Sequence, residues 1–345
     1  GILDLLQLSL IPFSSRVKLL KILLPMAFTS MKKTEEWDNL SLTEITKKLD
    51  PNTNAFFEAI CMLAFADTAD HISLGEFART MIRANPFKGG TSEFAYPDGG
   101  GYDAISRVLS DYVIANNGQI HLNSPIKKIV VKDSKVQGII TKDGIFHPSG
   151  CVIISLPAYQ GINQLFDRDV FDQNFIDKVN KLDKTTAVVE VHFALNKKID
   201  SRQIVFPVGD FTTKGFFFIS NITPSVCPTG EHLMIAGTPV HPSVSENPKK
   251  IQEIVEKMKD ELNSIYPEFE KSLLWDRPMA WKLVESVVKE PGLVWKSKMP
   301  HDISQVGGLY FVGDSTISYG IGTDSAAHSS VLCCPKIENF LKNSK

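Results

Sequence analysis

The chain has 345 residues, 43% of them hydrophobic, and a formal net charge of -2. That length suits roughly two domains, and that apolar content builds a substantial core, which excludes a disordered tail. The near-neutral charge excludes nucleic-acid binding through a basic surface. The five cysteines (Cys61, Cys151, Cys227, Cys333, Cys334) are odd in number and contain no C-x-x-C pair, so packed thiols in a reducing compartment, cytoplasmic or organellar and not secreted, are expected. The eight histidines show no H-x-x-x-H spacing, so no metal site is expected. No apolar run reaches the ~18 residues of a membrane span, and Ile2 to Phe13 lacks the basic start of a signal peptide.

Residues 1–95 read as helical. Arg16 to Phe28 is apolar on most faces with Lys18 and Lys21 on the remainder, and Pro25 is expected to end or kink it. Ser41 with Glu44 and Ser73 with Glu76 read as capping boxes, and Ala55 to Ala66 as a buried helix. Exposed basic and apolar residues in the first thirty also suit a membrane surface, so peripheral membrane contact is an expectation.

Residues 96–157 read as turn, helix, hairpin and strand. Gly99 to Ala104 formally fits G-x-G-x-x-A, but a dinucleotide reading fails. Asp98 would oppose a pyrophosphate, Pro97 disfavours a strand entering the turn, and Ile120-His121-Leu122-Asn123 lacks the ribose-binding acid. A helix over 102–116 with Gly118 at its C-cap is expected instead. In residues 158–300, Thr186 to Leu195 reads as a strand with Val189, Val191, Phe193 and Leu195 on one face. Phe216 to Ile219 and Leu233 to Ala236 read as two more strands, and Lys249 to Tyr266 as an amphipathic helix. Trp275, Trp281 and Trp295 follow, with core packing as the default.

Residues 301–345 carry the most informative stretch. Leu309 to Val312 reads as a buried strand closed by Gly313-Asp314; a loop with Gly320 and Gly322 follows, and a helix capped by Thr323 or Asp324 runs over 324–341. A carboxylate at a strand's carboxyl end, glycines, and a helix N-terminus with unpaired N–H groups are the parts of a ligand seat in an open α/β sheet. The same spacing also suits a plain strand–loop–helix unit with a solvated Asp.

Three blocks in order carry a family resemblance. GLYFVGDSTISYGIGTDSAAHSS resembles the C-terminal FAD-binding motif of the phytoene desaturase and flavin-containing amine oxidase superfamily. Tyr96 to Gly101 followed by GQIHLNSPIKKIVVKDSKVQGIITKDG is similar to that superfamily's mid-chain YPxGG segment and strand, and Cys151 to Pro157 to its strand ending in Pro. The resemblance implies an α/β fold: a discontinuous FAD-binding Rossmann-like domain, incomplete here, plus an α+β substrate domain with a mixed or antiparallel sheet and helices. Segments 96–157 and 301–345 would belong to the FAD domain, 1–95 and 158–300 to the substrate domain.

It further implies FAD as cofactor, held by the backbone of Ile126, by Gly313, Asp314 and Gly320, and by the N–H groups of Ile321 or Gly322. Asp314 would take a cofactor hydroxyl, and the helix N-terminus would face the flavin pyrimidine edge. The implied activity is desaturase- or isomerase-like hydride transfer on an apolar polyene, isoprenoid or lipid. The alternatives are a flavin amine oxidase and a non-enzymatic prenyl-lipid binder of the Rab GDP-dissociation inhibitor type. No acid–base residue stands out, so the catalytic residues are unknown at this level. No G-x-G-x-x-G unit of the family's N-terminal kind is present, so the chain alone is expected to hold FAD weakly and to be inactive.

Overall fold

The computed structural model describes residues 11–85, 97 and 101–343. The expected turn at Tyr96 to Gly101 therefore lies mostly outside the described residues, as does the apolar start before Ile11. The N-terminal part is a helical layer: α1 (Phe13–Phe28), α2 (Met31–Thr34), α3 (Thr43–Thr46), α4 (Pro51–Phe65) and α5 (Leu74–Arg83). Leu19 and Leu23 of α1 meet Phe57, Cys61 and Phe65 of α4 and Phe77 of α5 in one buried cluster. Asp50 opens α4 by accepting the Thr53 N–H at 3.1 Å, with Pro51 in the first turn, where its missing N–H costs nothing. Ser73 caps α5 as expected, accepting from Glu76 N at 3.4 Å, but the Glu76 side chain turns to Arg79 instead of closing the box.

Two local readings are corrected. Ser41 caps no helix: α3 begins at Thr43 without a side-chain cap, and Ser41 Oγ accepts from Thr43 N within a turn. Pro25 lies inside α1, which continues to Phe28. So Pro25 does not end the helix; its missing N–H leaves the carbonyl of Lys21, one turn back, without its helical donor, and both residues are exposed, so solvent can take that place.

Next come α6 (Tyr102–Ala115), β1 (Ile126–Lys132), β2 (Lys135–Thr141), β3 (Phe146–Pro148) and β4 (Val152–Ile154). Asn117, at φ 62, supplies the left-handed residue after α6, with Gly118 N closing onto Val113 O at 2.8 Å; the cap is one residue earlier than expected. Asp133 and Ser134, at φ 50 and 55, form the two-residue turn that the twist of a β1–β2 hairpin demands. None of the α6 residues is buried.

Then follow α7 (Ala158–Leu165), α8 (Gln173–Asn180), β5 (Ala187–Leu195), β6 (Ile204–Val205), β7 (Gly215–Phe217), α9 (Ile219–Ile222), β8 (His232–Val240), α10 (Pro248–Ile265), α11 (Phe269–Ser272) and β9 (Leu273–Trp281). Strands β6-β7-β8-β5-β9 form one antiparallel sheet. Val189, Val191, Phe193 and Leu195 all face α10, against Val255, Met258 and Leu262. The phenylalanine run is shorter as a strand than expected, because Phe218 leaves β7 to start α9. Phe216 and Phe218 enter the core, while Phe217 meets Phe206 edge-on, so the run splits between two faces.

The chain closes with β10 (Leu309–Phe311) and α12 (Gly322–Asn343). β10 pairs in parallel with β4, Tyr310 opposite Ile153, and this pair packs with the β1–β2 hairpin, α7 and α8 in a third core. The 313–322 loop is thus met by α12, by residues 285–299 and, through Ile321, by the helical layer. Among the described residues no helix is long and apolar enough to cross a membrane.

Candidate flavin seat

Val312 N continues the β10–β4 ladder to Ile154 O at 2.9 Å, after which the chain must turn sharply. Gly313 makes that turn at φ 116, a conformation side chains resist, and its N–H goes to Ser329 Oγ at 2.9 Å. Ser325 and Ser329 are fully buried on α12; being small, they let the helix close on the loop. Ile321 opens α12 by accepting from Asp324 N and Ser325 N at 3.1 and 3.2 Å, and its side chain packs on the helical layer. The helix therefore begins two residues before the expected start, and its N-terminus meets Glu285 and the helical layer.

Gly320 stands at φ 94, and a methyl group there would run into the Asp324 carboxylate. That carboxylate is ion-paired with Arg83 of α5. Gly320→Ala is expected to cost about 1–3 kcal/mol through backbone strain and loss of this pair. A denaturant midpoint within error of wild type would refute the account.

The geometry gathers Asp314, Gly320, Ile321 and Gly322 around one point and shows what engages them. Asp314 accepts from Ser286 N at 2.6 Å and Ser286 Oγ at 2.5 Å. Gly322 N donates to Glu285 Oε1 at 2.6 Å. Ile126 opens β1 and packs, half-buried, against the core holding Leu309 and Phe311.

Four charged residues of the site were not singled out by the sequence reading. Lys298, 4% exposed, donates from Nζ to Asp314 O and Ser318 Oγ, both at 2.9 Å, and to Ser325 Oγ at 3.4 Å. Burial, then the nearby charge of Lys289, pushes its amine down to about 7. Lys289 Nζ lies 2.9 Å from Glu285 Oε2, an ion pair aligned too poorly for a hydrogen bond. Burial opposes the Lys289 charge, but Glu285, Asp314 and Glu76 outweigh it and raise its pKa. Arg79, wholly buried, bonds Glu76 Oε2 at 3.0 Å, Thr34 Oγ1 at 3.1 Å and Asp38 Oδ1 at 2.6 Å. The only hint in the sequence is a charge set inside apolar runs, as in Val287-Val288-Lys289. Above Arg79 lies the ring of Tyr319, stacked on Trp295 at 3.8 Å and facing His328 at 5.4 Å.

The donor set fits a flavin. Glu285 offers the helix N-terminus an acceptor oxygen, as a pyrimidine edge would, and Ser286 offers Asp314 a hydroxyl, as a ribityl chain would. Glu285 Oε2, Glu76 Oε1 and Lys289 Nζ are buried without a hydrogen bond, so the cluster retains polar capacity for more.

Comparison with known proteins agrees with this chemistry. The chain is 23% identical over 351 residues to 15-cis-phytoene desaturase, chloroplastic/chromoplastic, of Solanum lycopersicum, covering 98% of this chain and 59% of that protein. It thus spans less than two thirds of the length of the curated relatives it matches. An oxidoreductase from Methanosarcina mazei superposes with a TM-score of 0.74 at 19% identity, over 96% of this chain and 74% of that one. A redesigned putrescine oxidase superposes at 0.68 and 11% identity, over 94% and 75%. The latter two show the fold. Residues 26–337 match the family model of flavin-containing amine oxidoreductases, and the chain belongs to that family.

Proposed function

We propose that the chain works within an FAD-dependent oxidoreductase that takes hydride from an apolar polyene, isoprenoid or lipid. The observation that carries this is the convergence of Asp314 with the α12 N-terminus, where Ser286 and Glu285 already present hydroxyl and acceptor chemistry. Bound flavin supplies the hydride acceptor. The chain's residues supply position and field. Asp314 holds a hydroxyl, the N–H of Gly322 and the positive end of α12 stabilise negative charge at the pyrimidine edge, and Lys298 fixes the loop from beneath. For the seat to accept flavin, Glu285 and Ser286 must yield their three hydrogen bonds.

Asp314→Ala in the full-length protein is expected to lower bound flavin at least ten-fold, read from absorbance after gel filtration, while far-UV circular dichroism stays native. Unchanged flavin content would remove the assignment. One feature supports amine oxidation as a second reading. On the sheet face opposite α10, Glu190 Oε1 accepts from Trp281 Nε1 at 2.9 Å and lies 3.3 Å from His192 Nε2, a carboxylate and indole suited to an ammonium. Anaerobic flavin bleaching by a polyene, and none by a diamine, separates the two.

A further inference from the structure

A cavity of about 450 Å³ opens between α8 and the segment 292–305. Phe175, Lys178, Val179 and Leu182 reach it at the spacing i, i+3, i+4 and i+7, one face of α8 and of the turn that follows. Val179 and Leu182 on this side, with Leu293, Met299 and Ile303 on the other, make its floor apolar. Its mouth is basic. Lys178 and Lys181 stand there exposed, and neither is ion-paired among the described residues. The other charged groups of the lining already have partners. Lys296 Nζ donates to Glu35 at 2.7 Å, Asp302 accepts from Lys336 at 2.7 Å, and Lys298 turns its amine inward to Asp314 O. The cavity is separate from the flavin seat. Lys298 and Met299 line it, and the same two residues hold the 313–322 loop, Met299 N donating to Ser315 O at 3.1 Å.

We propose that this cavity binds a single-chain amphiphilic carboxylate, its tail on the apolar floor and its head between Lys178 and Lys181. Charge complementarity identifies the occupant. Two cations without partners at the rim of an apolar hollow select an anion whose other end is hydrocarbon. No arginine lines the mouth, and lysine is a point charge without the fork that matches a phosphate, so two lysines suit the two oxygens of a carboxylate. A second exposed apolar surface, on α6 at Ile105, Val108 and Leu109, carries Asp103 and Asp111 and no lysine, a pattern that repels the same ligand. The inference stands on α8 and the segment 292–305 and is independent of the flavin reading.

Calorimetric titration of the 345-residue chain with decanoate, below its micelle concentration, tests it. One decanoate is expected to bind per chain, roughly ten-fold tighter than octanoate because two more methylenes leave water. Decyltrimethylammonium, with the same tail and the opposite charge, should not bind. Lys178→Glu with Lys181→Glu should weaken decanoate about ten-fold or more, and raised salt should act in the same direction. Circular dichroism and melting should stay unchanged in that variant, because both side chains face solvent. Leu293→Trp, which fills the hollow, should weaken octanoate and decanoate alike. Absence of binding by folded wild type, equal binding of the cationic amphiphile, or indifference to the lysine pair would each overturn the proposal. Tighter binding of decyl phosphate than of decanoate would overturn the carboxylate assignment. Loss of binding on Val108→Asp with Tyr112→Asp alone would overturn the location and move the contact to α6.

Discussion

Arg79→Met is expected to lower unfolding free energy by about 3–5 kcal/mol, the cost of stranding a buried partner charge. Arg79 is wholly enclosed, and its guanidinium is the cation on which Glu76 and Asp38 both converge. Burial already pushes the Asp38 carboxyl upward against the pull of Arg79, so removing the guanidinium leaves both acids desolvated. Glu76 is the more exposed to loss, since its Oε1 has no hydrogen bond even in the native protein. Arg79→Lys should restore part of the stability, as a point charge without the fork that spans Thr34, Asp38 and Glu76. Adding Glu76→Gln to Arg79→Met should recover some of the loss, giving a non-additive cycle. Urea titrations of wild type, Arg79→Met, Arg79→Lys, Glu76→Gln and the double variant decide it: an Arg79→Met variant within ~1 kcal/mol of wild type would show the cluster to be ornamental.

The second large effect is a pH dependence assigned to one amine. Lys298 titrates near 7 in the folded protein and at an ordinary lysine value, about 10.5, when unfolded. Between those values the unfolded chain binds one more proton than the native one. Stability therefore rises with pH across the window, and is lost as pH falls back through it to 7. The expected slope from this residue is about 1.4 kcal/mol per pH unit. Below pH 7 both states carry the charge and the contribution is flat. The groups facing the amine are Lys289, Glu76, Asp314 and Glu285, and Lys289, with its raised pKa, keeps its charge through the lower part of the window. Lys298→Met removes the titration while Ser318 and Ser325 keep their mutual bond at 2.8 Å. Unfolding free energies at pH 6 to 9 should therefore diverge above pH 7, wild type gaining on the variant. Parallel curves would exclude a depressed Lys298.

Periodicity made much of the scaffold legible. The alternation from Val189 to Leu195 and the 251-254-255-258-262 spacing of α10 specify two faces that must meet, and they do. Local rules failed where tertiary partners compete for the same atoms. Glu76 forgoes its capping box because Arg79 offers a full charge nearby, and Pro25 stays helical because the carbonyl it deprives of a donor, on exposed Lys21, can turn to solvent. The loop glycines and Asp314 were readable because backbone geometry forces glycine at positive φ. Ser286 and Glu285 were not, because their roles arise only when Asp314 and Gly322, 28 and 37 positions away, are brought to them, nor was Lys298, whose partners Asp314 and Ser325 lie 16 and 27 positions on. Long-range polar convergence has no period, so no window of the sequence reports it.

The layered rings of Trp295, Tyr319 and His328 also give the molecule an optical consequence. Trp295 is held flat against a phenol ring at 3.8 Å, whereas Trp275 and Trp281 stand half in water on β9. Its emission should be quenched while the 313–322 loop is closed, and should brighten when the loop lifts from the helical layer. Stopped-flow fluorescence can then time the opening of the seat in the native protein, with no dye attached.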